Sequence, residues 1–362
     1  MPHEPTLLNL AAYEPAAAAR LPRMVYDYYA GGSGDEITLS AAHRAWEQYL
    51  VRYRVLRDVA ERSWRTDVLG HALDWPLLVA PMAFQRMATP DGELATARAT
   101  EAQGVGMILS TLSNTPIEQV RAATSGPLWF QLYIYRDRGV TTELVQRAER
   151  AGCTAIVLTV DTPILGRRER DLVNGFHLPP SLHMPNTGVD LGTTLQADQE
   201  ASSGLAQFVS AYWDAGIGWK DLAWLRGITS LPVLVKGVVR GDDALQSIEH
   251  GASGVIVSNH GGRQLDTSLP TARALPEVAD ALAGRAPLLV DGGIRRGTDI
   301  VKALALGANA VLLGRPILWG LAVDGQAGAE RVLQLLRDEF DLAMALAGCS
   351  AIADATRDLV TS

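Results

Sequence analysis

The amino-acid sequence predicts an α/β protein of the (β/α)8 TIM-barrel class, with an N-terminal helical extension and a long loop after strand 4. Three observations predict it. Eight short apolar runs recur along the chain, each followed by a helix-like segment. Reactive side chains collect just beyond the C-terminal ends of those runs, where a barrel builds its chemistry. No GxGxxG turn follows the first run, which counts against the alternative of a doubly wound open sheet.

The runs span residues 76–80, 105–109, 128–132, 155–160, 233–236, 254–258, 288–291 and 310–313. Near-continuous Val, Ile and Leu over four to six residues suits a parallel strand buried on both faces, and eight such units close a barrel. Between them, residues 92–103, 143–151, 242–250 and 297–306 carry apolar side chains at helical spacing. Two regions stand outside the repeat. Residues 1–70 precede the first strand and read as helical in parts, for example over 21–29. Residues 174–206 are polar and rich in Pro, Gly and Ser, and follow the fourth strand; they read either as an active-site lid or as a decorative insertion. The whole of 1–362 is read as one domain.

With 362 residues and 48% apolar side chains the chain has material for a large core. Forty acidic against 32 basic residues give a net charge of -8, which excludes a nucleic-acid partner or a polybasic membrane anchor. The two cysteines, Cys153 and Cys349, sit in no metal-type cluster, and the histidines form no ligand pair, so no metal site is expected. They read as packed free thiols of a reducing compartment. No secretory leader, membrane-length apolar run or peroxisomal tripeptide is visible, so the expected location is cytoplasmic.

Gln131 and Tyr133 flank the end of the third strand, and Thr159 and Asp161 that of the fourth, with Arg167 and Arg168 beyond. Lys236 ends the fifth; Ser258, His260 and Arg263 follow the sixth. Asp291, Gly293 and Arg295 follow the seventh, and Gly314 and Arg315 the eighth. Packing inside a barrel requires none of these side chains. The two Gly-Arg loops, 291–297 and 313–316, lie where barrels commonly cradle a phosphate, with helix-start N–H groups pointing at the anion; the alternative is tight turns with surface arginines. Lys236 suits charge stabilisation on a cofactor ring, or a salt bridge within the barrel. His260 is a candidate general base, with Asp161 either orienting it or capping a helix. Arg168 and Arg263, from different loops, suit one carboxylate.

The run SNHGGRQLD (258–266) resembles the signature of the FMN-dependent L-2-hydroxy-acid oxidases and dehydrogenases, a family whose members include glycolate oxidase and lactate oxidase. Similar stretches extend through MVYDYYAGG (24–32), FQLYIY (130–135), TVDTPILGRRERD (159–171), LVKGV (234–238), DGGIRRGTD (291–299) and DEFDLAMALAGC (338–349). The resemblance implies FMN as cofactor. It implies His260 taking the substrate hydroxyl proton with Asp161 as its partner, Arg168 and Arg263 on the substrate carboxylate, and Tyr28 and Tyr133 hydrogen-bonding substrate. It implies Lys236 beside the flavin pyrimidine, with Ser110, Gln131 and Thr159 and the backbone of Ala80, Pro81, Met82 and Ala83 around the ring. Ser258 and Asp291 would lie at the ribityl chain, and Gly293, Arg295, Gly314 and Arg315 at the phosphate. Against plant glycolate oxidase, Leu112 replaces tryptophan and Met82 replaces threonine. The expected pocket is therefore more apolar, suited to L-lactate or a larger aliphatic 2-hydroxy acid rather than glycolate. Dioxygen is the expected acceptor, giving hydrogen peroxide. The alternatives are a dehydrogenase using a quinone or protein acceptor and a non-redox phosphate-binding barrel protein. A homo-oligomer, tetramer or octamer, is expected by the same resemblance.

Overall fold

In a computed structural model, which describes residues 7–187 and 203–362, eight parallel strands close into a barrel. They are β1 (Leu77–Val79), β2 (Gly106–Leu109), β3 (Leu128–Leu132), β4 (Ile156–Thr159), β5 (Val233–Val238), β6 (Gly254–Val257), β7 (Leu288–Val290) and β8 (Ala310–Leu313). Each pairs with its sequence neighbour, and β8 closes on β1 with Val311, Leu312 and Leu313 opposite Leu77, Leu78 and Val79. Every strand lies within one or two residues of its expected run.

Alternation along each strand divides the core in two. Leu78, Ile108, Trp129, Val157, Leu234, Ile256, Leu289 and Leu312 form one cluster inside the barrel, while Leu77, Val79, Leu128, Phe130 and Val255 face the helices. A small hairpin, Thr66–Val68 with His71–Leu73, adds Val68 and Leu73 to the interior cluster. The N-terminal extension forms three helices: α1 (Leu10–Ala18), α2 (Arg23–Ala30) and α3 (Ile37–Glu47). The helix expected over 21–29 starts two residues later because Pro22 stands at its cap.

The expected loop 174–206 is only partly irregular. Its residues 188–202 lie outside the described residues. Phe176, Leu178 and Met184 are buried in the main core, and Ser203 caps a helix, Gly204–Tyr212, by accepting from the N–H of Ala206. Among the described residues no helix is long and apolar enough to cross a membrane.

Candidate active site

The same alternation that points eight apolar side chains into the barrel points the residue two positions later inward as well. Those residues are Ala80, Ser110, Gln131, Thr159, Lys236, Ser258, Asp291 and Gly314, one per strand. They form the uppermost interior layer, under the cavity at the C-terminal mouth. Ser110 and the N–H of Thr111 donate to Gln131 Oε1 (3.4 and 3.2 Å), and Gln131 Nε2 donates to Thr159 Oγ1 (3.1 Å). Lys236 Nζ donates to Ser258 Oγ (2.9 Å) and lies 3.2 Å from Asp291 Oδ2. Burial opposes the lysine charge, but Asp291 and Asp161 outweigh it and hold the pKa above the ordinary value. The barrel floor therefore carries a fixed cation.

His260 follows β6 in a turn where His260, Gly261 and Gly262 all have left-handed backbones (φ 57°, 64° and 76°). A side chain at Gly262 would meet Leu39 N at 2.7 Å, so α3 packs directly on this turn. The turn brings His260 Nδ1 to 2.7 Å from Asp161 Oδ1, which also accepts from Thr162 Oγ1 at 2.9 Å. A carboxylate accepts, so Nδ1 carries the proton and the lone pair of a neutral ring is on Nε2. Burial lowers the histidine pKa below its ordinary value, with Asp161 partly opposing. Burial alone would raise Asp161, but His260 and Lys236 bring it below the usual carboxylate range.

Two arginines dock α2. Arg263 Nη1 donates to Tyr28 O (2.5 Å) and Gly31 O (3.2 Å), and Arg315 donates to Tyr29 O (2.9 Å), Gly31 O (3.1 Å) and Gly261 O (3.0 Å). Cations at a helix C-terminus complement its exposed carbonyls. This docking brings Tyr28 into the cavity, with its ring stacked on Phe176 at 4.1 Å and under the Arg263 guanidinium at 4.9 Å. Tyr133 stacks on Trp213 at 3.6 Å. Burial raises both phenols, so they remain donors. Arg168 is buried beside them; desolvation and then Arg263 bring its pKa down to about 10, and desolvation, Arg263 and Arg295 bring Arg315 down to about 9. Arg168, Arg263, Arg295, Arg315 and Lys236 share one cavity whose wall holds one carboxylate, Asp291, with Asp161 and Asp171 behind it. Such a surplus of buried cations suits anionic ligands.

One expectation needs correction. The N–H groups at the start of the helix Gly297–Ala305 are not free for a phosphate, because side-chain carboxylates hold them. Those of Arg295 and Arg296 both donate to Asp299 Oδ2 (2.9 Å each), and that of Gly297 donates to Glu339 Oε2 (3.1 Å). Asp299, at the third helical position, has taken the first two, as in a capping box. Between β7 and that helix, the N–H groups for which no acceptor is found among the described residues are those of Gly292, Gly293 and Ile294, all in the cavity wall. Successive free N–H groups form an anion-binding nest.

This donor set fits FMN. Ser110, Gln131, Thr159 and Lys236 offer polar atoms to a heterocycle against the apolar Ala80–Pro81–Met82 wall. Asp291 Oδ1 is buried without a partner and suits a hydroxyl. The nest, Arg295, Gly314 and Arg315 suit a phosphate. Of the expected site residues, Asp161 and Ser258 stand behind the cavity wall rather than in it; Ser258 holds Lys236 and accepts from the N–H of His260 (3.1 Å). The wall also contains Tyr29, Thr162, Leu165, Leu205, Trp213 and Leu318, none singled out from sequence. Leu205 lies at the end of the 174–206 stretch and Trp213 just past it, where no local pattern points at the barrel mouth. Behind the wall, fully buried Glu93 accepts from the N–H groups of Gln85 and Asn114 (3.2 and 3.0 Å) and from Thr115 Oγ1 (2.8 Å), tying the β1 and β2 loops together. Glu93→Ala would strand three donors and is expected to cost about 3 kcal/mol in denaturant melts.

Barrel, buried lysine, His–Asp pair and paired arginines define a flavin-dependent oxidoreductase of the 2-hydroxy-acid-oxidising class. The chain belongs to the FMN-dependent dehydrogenase family, whose profile matches residues 17–362; FMN is its cofactor. It is 49% identical to glycolate oxidase of Spinacia oleracea over 98% of this chain and 96% of that one. It is 51% identical to glycolate oxidase 3 of Arabidopsis thaliana over 97% and 95%. A crystal structure of mandelate oxidase with (S)-4-hydroxymandelic acid superposes with a TM-score of 0.94 at 43% identity, covering 98% of both chains.

Proposed function

We propose that this chain oxidises an L-2-hydroxy acid with an apolar side chain, L-lactate or a larger aliphatic acid, to the 2-oxo acid, with dioxygen as acceptor and hydrogen peroxide as second product. The observation that carries the reaction is the His260–Asp161 pair opening into the same cavity as Arg168 and Arg263. Bound FMN supplies the acceptor for the two electrons leaving carbon 2. The arginines hold the substrate carboxylate, and this fixes carbon 2 relative to the barrel floor. His260 Nε2 takes the hydroxyl proton, and Asp161 holds the ring in the required tautomer and supports the imidazolium that forms. Tyr28 and Tyr133, kept as phenols by burial, donate to the substrate oxygens. Lys236 holds a buried positive charge in the cavity that would stabilise negative charge on the bound cofactor.

The side-chain preference rests on the apolar residues Met82, Leu112, Leu165, Leu205 and Trp213, each of which lines the cavity. The related proteins named glycolate oxidase make glycolate the natural competitor. Values of kcat/KM for glycolate, L-lactate and longer L-2-hydroxy acids test the reading, with oxygen uptake recorded alongside. Rising values with side-chain length are expected; a maximum at glycolate overturns the preference, and substrate turnover without oxygen uptake overturns the acceptor. Leu112→Trp should narrow the pocket and lower kcat/KM for the longest acids about tenfold while changing glycolate little.

A further inference from the structure

The nest of N–H groups after β7 exists only because three consecutive carbonyls are held away from the cavity. In a trans peptide the C=O of one residue and the N–H of the next point in opposite directions. Holding the carbonyls of Asp291, Gly292 and Gly293 outward therefore turns the N–H groups of Gly292, Gly293 and Ile294 the other way. Every one of the three has a captor. Thr271 Oγ1 donates to Asp291 O (2.5 Å) and, at longer range, to Gly292 O (3.3 Å); the shorter bond to Gly292 O comes from Trp46 Nε1 (2.8 Å), and His43 Nδ1 donates to Gly293 O (3.1 Å).

Two of the three captors come from α3, outside the barrel. That helix is seated tightly. A side chain at Gly293 would meet Ala42 O at 2.2 Å, so only a glycine lets the helix backbone approach this closely. Lys302, in the helix that follows the loop, donates from Nζ to Trp46 O (3.0 Å), which ties the C-terminal end of α3 to the same element. Trp46 is fully buried. Gly292 and Gly293 take left-handed backbones (φ 90° and 82°) that few other residues adopt, and glycine alone does not choose between this arrangement and others. The choice is made from outside, by the captors.

We propose that α3 sets the affinity for FMN by acting on its phosphate end, with Trp46 and His43 as positioning residues that keep the loop N–H groups turned into the cavity. Neither residue lines the cavity. Their effect is confined to the phosphate and does not extend to the ring, for which the polar side chains of the cavity floor, Ser110, Gln131, Thr159 and Lys236, would be the partners. The extension is thus part of the cofactor site and not merely a cover for the barrel.

The test compares FMN with riboflavin, which has the same ring and ribityl chain but no phosphate. Flavin-stripped protein is titrated with each and binding is followed by the quenching of flavin fluorescence. Wild type should bind FMN more tightly than riboflavin. In Trp46→Phe, which keeps the ring and loses the donor, the FMN dissociation constant should rise about tenfold, the size of one lost hydrogen bond, while that for riboflavin stays put. His43→Ala, at a half-exposed position, should shift the same ratio in the same direction and decides the matter if Trp46→Phe fails to fold. Trp64→Phe removes an indole donor to Asp341 but no captor of the three carbonyls, and should leave the ratio unchanged. A ratio unaltered in both α3 variants overturns the proposal, whether the two flavins weaken together or not at all. A wild type indifferent to the phosphate overturns it too, together with the phosphate site itself.

Discussion

His260→Gln should retain bound FMN and lose about 10²- to 10⁴-fold in the rate at which substrate bleaches the flavin band under anaerobic mixing, because it removes the proton acceptor and little else. Glutamine keeps a polar group near Asp161 but has no basic nitrogen. The pH profile of the wild type carries the sign of the same argument. Burial lowers the His260 pKa, so the base is neutral at pH 7 and the acid limb of kcat/KM should fall below the ordinary histidine value of about 6.5. Asp161→Asn removes the charge that favours the imidazolium, so the limb should move to still lower pH while the maximal rate drops. A limb that moved upward would mean that Asp161 does not act through His260. An unaltered bleaching rate in His260→Gln would remove the histidine from the mechanism.

How much of this was legible in the sequence follows from the geometry of strands. An apolar run ending in a polar residue two positions after an inward apolar one states both the strand and the direction of its last side chain. Hence Gln131, Thr159, Lys236 and Asp291 could be assigned to the barrel mouth before any coordinates. What was not legible depended on partners distant in sequence. The N–H groups at 295–297 were expected to face an anion, but Asp299 and Glu339 take them; Asp299 at the third helical position was the available signal. Trp46 and His43 reach Gly292 and Gly293 across some 250 residues of chain, and no spacing announces that. Trp213 stacks on Tyr133 from beyond the insertion for the same reason.

Arg168→Met should change activity and stability in opposite directions. The guanidinium is almost fully buried, and its pKa is brought down to about 10 by desolvation and by Arg263, with Tyr28 and Asp171 only partly compensating. A group whose charged form is disfavoured in the folded protein costs stability there. Methionine, of similar length and without the charge, should therefore raise the stability of substrate-free enzyme by up to about 3 kcal/mol, the free energy that a pKa of about 10 against the ordinary 12.5 represents. The same change removes half of the carboxylate clamp and should lower kcat/KM by about 10² to 10³-fold, as expected for one charged hydrogen-bonding partner of a buried anion. Arg168→Lys separates charge from fork geometry: it should regain part of the binding and little of the orientation, so KM should recover more than kcat. Thermal melts without substrate and initial rates with L-lactate read the two effects independently. A variant that lost stability and activity together would make Arg168 a structural residue. A variant that gained stability and lost turnover would show a cation held under electrostatic strain for the substrate that relieves it.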